Sequence, residues 1–193
     1  IPLHQWLRGA APLATPRLEL LHMLASGDLD GELEEARVLR AQGYRHWKIK
    51  VGAGPADGDV TRVARISEAL QGDVVSADAN QALSDDAALA IARAGVAHGL
   101  GFLEQPFRVG RVEAMARLHR DTGLALCADE SIQDLDDIRR HHAAAAAQGA
   151  SLKLIKLGGT QALVEAGRQL GGVLGIHQFV HIGTMAMVPH LMM

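Results

Sequence analysis

The chain has 193 residues, 48% of them apolar and 21% charged, with a formal charge of −3. That apolar share excludes a disordered segment, the mild negative charge gives no reason to expect a nucleic-acid partner, and no run of 18 uncharged apolar residues suggests a membrane helix. No signal peptide is read at the start, and the one cysteine, Cys127, sits in an apolar run as a small buried strand residue would in a reducing compartment, so a cytoplasmic protein is the expectation.

Residues 18–24 are a predicted first strand, followed by a helix from Asp30 to Ala41 with Leu33, Ala36, Val38 and Leu39 on its apolar side. Gly43 is its stop signal. Trp47 to Val51 is the second strand, Asp57 to Leu70 the next helix, and Val74 to Ala77 the third strand. Ser84 is an N-cap for a helix through Ala97. Phe102-Leu103 is a short fourth strand closed by Gln105-Pro106, since proline cannot continue the ladder. A helix from Arg111 to Asp121, a strand from Leu124 to Ala128 and a helix from Leu135 to Ala147 follow, the last ending in five alanines. Leu152 to Ile155 is the predicted sixth strand, and Gln161 to Leu170 the next helix.

Five ionisable residues stand at the C-terminal ends of these apolar runs: Lys50, Asp78, Glu104, Asp129 and Lys153. By subtraction they are 28, 26, 25 and 24 residues apart. A parallel barrel of roughly 250 residues in eight units gives about 31 residues per unit, with its active site at the C-terminal mouth of the strands. The alternation therefore predicts an α/β chain, a TIM-type barrel delivering one functional group per strand. The rival is a doubly wound open sheet, which normally carries a glycine-rich phosphate turn. Gly52-Ala53-Gly54-Pro55 is a weak imitation of one. Six units and a doubtful seventh can be counted, so the single domain expected over residues 1–193 is a partial barrel, either truncated or drawn from a longer chain.

Adjacent strand ends lie about 5 Å apart, so Asp78, Glu104 and Asp129 would repel one another without a cation. Oxygen donors without histidine or thiolate suit Mg²⁺, with Mn²⁺ or Ca²⁺ as alternatives. Lys48 and Lys50 are two apart on a strand and share a face. Neighbouring cations lower each other's pKa, and a neutral lysine is a competent base. Strands two and six of an eight-stranded barrel are opposed, which would set Lys50 and Lys153 across the mouth from each other. Lys156, beside Gly158-Gly159, is the competitor for the second position. Asn80 shares the direction of Asp78 and could support the metal or a carboxylate, whereas Glu130 points away from Asp129 and could pair with a lysine or a helix end. None of the ten histidines has metal-pair spacing; His177 and His181 could line the mouth or a solvated loop.

Trp47-Lys48-Ile49-Lys50-Val51-Gly52, Ser76-Ala77-Asp78-Ala79-Asn80-Gln81, Phe102-Leu103-Glu104-Gln105-Pro106, Ala128-Asp129-Glu130-Ser131 and Leu152-Lys153-Leu154-Ile155-Lys156-Leu157-Gly158-Gly159 together resemble the enolase superfamily. The lysine on the predicted sixth strand, Lys153, resembles the muconate lactonizing enzyme subgroup rather than the mandelate racemase subgroup, which uses a His-Asp pair there. Leu24-Ala25-Ser26-Gly27-Asp28 is similar to the first-strand segment of muconate and chloromuconate cycloisomerases.

The resemblance implies a modified (β/α)₇β barrel and a preceding α+β capping domain, which this sequence does not contain. It also implies Mg²⁺ on Asp78, Glu104 and Asp129, with Lys50 and Lys153 as the acid/base pair and Lys48 assisting. The shared reaction is removal of a proton α to a carboxylate through an enediolate. The expected substrate is a small carboxylate, with no nucleic-acid or membrane partner and a homo-oligomeric assembly. Cycloisomerisation of muconate-like diacids, racemisation or epimerisation of amino-acid derivatives, and dehydration of a β-substituted acid remain open. So do a truncated barrel without activity and a Schiff-base lyase using one barrel lysine. Ile182-Gly183-Thr184 resembles the family's last barrel segment, but Gly171 to His181 is short for the elements before it, and His181 stands where an acidic residue is expected. A break or a poorly ordered segment is expected between about Gly171 and Ile182.

Overall fold

The computed structural model describes residues 20–168. The start of the first predicted strand, the end of the last predicted helix, His177, His181, and the segment from Gly171 through Thr184 lie outside the described residues.

Strands and helices alternate in chain order up to the last described strand, which two helices follow. They are β1 (Leu21–Leu24), α1 (Leu29–Ala41), β2 (His46–Lys50), α2 (Ala56–Ala69), β3 (Val74–Asp78), α3 (Asp85–His98) and β4 (Phe102–Glu104). Then come α4 (Val112–Thr122), β5 (Ala125–Ala128), α5 (Leu135–Ala143), β6 (Gly149–Ala150), α6 (Leu154–Leu157) and α7 (Thr160–Arg168). The sheet order is β1-β2-β3-β4-β5-β6, every pair parallel. Sequential order without reversal is the pattern of a (β/α) barrel; a doubly wound sheet would reverse at a switch point. The barrel-type reading therefore holds and the open-sheet rival falls.

Strand alternation separates two faces. Trp47, Ile49, Val75, Ala77, Leu103 and Leu126 form one core cluster with Val63 and Ile66 of α2, Ile91 of α3, and Met115 and Leu118 of α4. Full burial of each large apolar side chain contributes about 1.5–3 kcal/mol. This packing against the helices fixes register, because a slip of one residue would turn charged groups into it. Lys48, Lys50, Ser76, Asp78, Glu104 and Cys127 alternate with these residues and lie on the opposite face. The register aligns Lys50 with Asp78, Asp78 with Glu104, Glu104 with Cys127 and Cys127 with Gly149.

The helix signals act as the sequence reading expects. Ser84 Oγ accepts from the Ala87 amide at 3.2 Å, capping α3. Gly99 ends α3 at φ 85°, in the left-handed region where a glycine has no Cβ penalty.

Two expectations are corrected. The sixth strand is not Leu152 to Ile155 but Gly149–Ala150, paired with Cys127 and Ala128. Flanking bonds from Gln148 N to Leu126 O and from Ser151 N to Ala128 O, both 2.8 Å, extend that ladder. The apolar residues after it instead enter α6, and Ile155 is 89% exposed. The alanine run is likewise not a helix end. The last helical residue of α5 is Ala143, and Ala145 turns the chain at φ 52°. Ala146 and Ala147 are then buried on the approach to β6. A helix continued to Ala147 would leave too little chain to return to Gly149.

Candidate active site

β3 and β4 each end on a carboxylate, Asp78 and Glu104, and Asp129 follows directly after β5. All three are buried. Lys48 and Lys50 reach the same row from β2. Strand order puts Lys50 on one flank of the carboxylates, and Lys153 lies on the other, beside Asp129.

Each carboxylate holds an ammonium. Lys48 Nζ donates to Glu104 Oε2 at 2.5 Å and stands 3.8 Å from Asp78 Oδ2. Lys50 Nζ donates to Asp78 Oδ2 at 2.6 Å and to Asn80 Oδ1. Lys153 Nζ donates to Asp129 Oδ2 at 2.6 Å. Lys156 Nζ donates to Asp129 Oδ1 at 2.7 Å and to the Asp129 carbonyl at 2.5 Å.

The electrostatics follow from that crowding. Burial pushes the Glu104 carboxyl up, and the charges of Asp78 and Asp129 add to the rise against the pull of Lys48. At Asp129 burial works the same way, but hydrogen bonds from Lys153 and Lys156 outweigh it and hold the carboxyl below its ordinary value. At Lys153 burial favours the neutral amine, yet the bond to Asp129 and the charges of Asp129, Glu130 and Glu104 hold the ammonium above its ordinary value. Asp129 and Lys153 thus keep each other charged.

By donor chemistry the row fits a hard divalent cation: three buried carboxylates on adjacent strands, with no histidine among them. Cys127 is level with Glu104, but burial first, then the charge of Glu104, pushes its thiol well up, so no thiolate enters the set. Among the described residues, no group of three His, Cys, Asp or Glu side chains is arranged to hold an ion. Ammonium groups satisfy the carboxylates instead, as mutual repulsion requires in this arrangement.

Lys153 is therefore brought to Asp129, but not from a strand. It is the extended residue capping α6, three positions beyond β6. Asn80 supports the site through Lys50 and through its own amide, which donates to Asp78 Oδ1 at 3.1 Å. Glu130 corrects the expectation that it points away. Its Oε1 accepts from Asn80 Nδ2 at 3.1 Å, because the chain has left β5 and strand alternation no longer applies.

Sequence reasoning assigned no role to Gln105. Wholly buried at φ 36°, it accepts on Oε1 from the Asp129 and Ser131 amides at 2.9 and 3.0 Å. Its Nε2 donates to Phe107 O and Ser131 Oγ, both at 2.8 Å. All four hydrogen-bonding positions of the side chain are used, and they tie the end of β4 to the Asp129 turn. The available signal was an amide directly before Pro106, where a surface loop would leave it exposed. Lys156, the competitor in the sequence, makes more contacts to Asp129 than Lys153 does.

A family model described as enolase C-terminal domain-like matches residues 32–192. The chain belongs to this enolase C-terminal domain-like family. Chloromuconate cycloisomerase of Cupriavidus pinatubonensis is 33% identical over 185 residues, 95% of this chain and 48% of that protein. N-succinyl-L-Arg/Lys racemase of Bacillus cereus is 29% identical over 77% of this chain and 40% of its own. Among solved structures, muconate lactonizing enzyme from Pseudomonas fluorescens complexed with muconolactone aligns with a TM-score of 0.81. It is 31% identical, covering 90% of this chain and 46% of that one. The enolase-like chain thus spans about half the length of the curated relatives it matches. Among the described residues, no helix is long and apolar enough to cross a membrane.

Proposed function

We propose that this enolase-family chain carries the barrel part of an isomerase that moves a proton at the carbon α to a carboxylate, with a muconate-type diacid as substrate. The observation that supports it is the row Lys50, Asp78, Glu104, Asp129, Lys153, built from successive units of one parallel sheet. Asp78, Glu104 and Asp129 would hold Mg²⁺, or Mn²⁺ in its place. When bound, the ion would supply Lewis-acid stabilisation of negative charge on the substrate carboxylate.

The chain's own residues perform the proton chemistry. Lys50 or Lys153, once freed of its carboxylate partner and deprotonated, takes the α-proton onto Nζ, and the C–H electron pair passes into the carboxylate. The other lysine, as the ammonium, returns a proton to the same carbon. Transfer from the opposite face inverts the centre. For a diacid, one carboxylate oxygen adds to a ring-closing carbon, and an ammonium protonates the carbon α to the remaining carboxylate. Lys48, sealed beside Glu104, supports the row from one layer below.

A second reading, racemisation or epimerisation of an amino-acid derivative, is supported by the likeness to N-succinyl-L-Arg/Lys racemase and to the L-Lys-D/L-Arg epimerase of Methylococcus capsulatus, 36% identical over 66% of this chain. One experiment separates the two. The protein is incubated in D₂O with MgCl₂ and either cis,cis-muconate or an N-succinyl amino acid, and products are read by NMR. Lactone bearing one deuterium supports the first reading. Deuterium at the amino-acid α-carbon supports the second. Neither signal, in a protein that binds Mg²⁺, would sink both.

A further inference from the structure

Three buried charges lie off the carboxylate row. Glu32 is fully buried on α1, and Asp59 and Arg62 are buried one turn apart on α2. Arg62 grips Glu32 with two bonds, Nε to Oε2 at 3.0 Å and Nη2 to Oε1 at 2.8 Å. Its Nη1 donates to Asp59 Oδ1 at 2.9 Å and to the main-chain carbonyl of Lys50 at 2.8 Å. Asp59 Oδ2 accepts from the Gly52 amide at 2.7 Å. Glu32 Oε1 also accepts from Gly27 N at 3.0 Å and Ser26 Oγ at 3.3 Å, in the turn after β1.

The backbone leaving Lys50 is therefore gripped at three consecutive residues. The Lys50 carbonyl is held by Arg62, and the Gly52 amide by Asp59. Between them the Val51 amide donates to Asp78 O at 3.0 Å. Gly52 itself must turn tightly: at φ 91°, an added Cβ would come within 2.8 Å of the Ala82 methyl. Stability alone gives little reason for such a cluster, because well-packed apolar side chains commonly replace a buried ion network at no loss. What an apolar replacement could not do is donate to the Lys50 carbonyl.

We propose that Arg62, oriented by Glu32 and Asp59, is a positioning residue for Lys50. It fixes the strand end so that the Lys50 ammonium stays beside Asp78 and Asn80. The functional weight of this inference rests on the isomerase reading of Lys50, but its test does not depend on turnover.

The test is competitive amine labelling of the folded full chain with a trace of isotopic acetic anhydride, with rates per lysine read by mass spectrometry. In Arg62→Met the Lys50 rate should rise by about tenfold, the order expected for losing one charge-assisted hydrogen bond. Lys153 and Lys156 should keep their rates, and Arg62→Lys should restore part of the protection. An unchanged Lys50 rate, or an equal rise at Lys50 and Lys153, overturns the proposal. Should Arg62→Met fail to fold, Glu32→Gln, which keeps the side-chain shape, is read in the same way. An inactive wild type would count against the isomerase reading and leave the labelling ratio intact. An active wild type whose Arg62→Met variant keeps both kcat and Lys50 protection would sink the positioning role alone.

Discussion

Lys48 and Glu104 form an ion pair at 2.5 Å with both side chains almost wholly sealed from solvent. Neither side chain has access to bulk water, so each depends on the other. Removing one partner of a buried pair typically costs about 3–5 kcal/mol, because a charge is left without compensation. Lys48→Met should therefore lower the urea midpoint sharply. Adding Glu104→Gln should recover part of the loss. Equal instability of the single and double variants would show that the pair is not what Lys48 contributes.

The carboxylate row makes a metal prediction that calorimetry can read without substrate. MgCl₂ should bind with one site per chain, and Asp78→Asn, Glu104→Gln and Asp129→Asn should each weaken it by about tenfold or more, the loss of one charged ligand being worth at least ~1.4 kcal/mol. Saturation at a hundred times Kd should add about 2.7 kcal/mol of stability. Since Lys48, Lys50 and Lys153 now occupy those carboxylates, binding should also release the ammonium groups and speed their labelling. Three variants with wild-type affinity would place the metal elsewhere or nowhere.

Much of this arrangement was legible in the sequence, and the reasons are physical. Trp47-Lys48-Ile49-Lys50 states its two faces by alternation, and Asp78 and Glu104 mark where apolar strands stop. The sixth strand was not legible, because Gly149 and Ala150 carry no strand preference and their pairing with Cys127 and Ala128 is a tertiary fact. The apolar Leu152, Leu154 and Ile155 imitated a strand better than the strand itself did. Gln105 and the Glu32–Arg62 pair were invisible for another reason. Asp129 and Ser131 lie 24 and 26 residues from Gln105, and Glu32 lies 30 from Arg62, and no local period reports that.

Cys127, level with Glu104, offers a check on the sheet that needs neither metal nor substrate. It is fully buried in β5, and burial pushes its thiol well up, so thiolate is scarce. Iodoacetamide should leave the native protein unmodified and alkylate it fully in urea. Rapid labelling under native conditions would mean that β5 opens locally, and with it the Asp129 turn.

The last prediction separates the two lysines at Asp129. Lys156 is held at two points, the carbonyl and Oδ1 of Asp129, and its side chain is only 12% exposed. Lys153 makes one bond, to Oδ2, and its side chain is 34% exposed. The doubly tied lysine fits an anchor for the Asp129 turn, and the singly tied one can swing to a substrate carbon. Lys153→Ala should thus keep near-native stability and Mg²⁺ affinity while losing about 10²- to 10⁴-fold in proton transfer, the usual contribution of a general acid or base. Exchange of the α-proton with D₂O from the Lys50 side should survive. Lys156→Ala should lower thermal stability and Mg²⁺ affinity first, and turnover only in proportion. If Lys156→Ala abolishes exchange in a stable, metal-binding protein while Lys153→Ala retains it, the roles are reversed and the proton passes through Lys156.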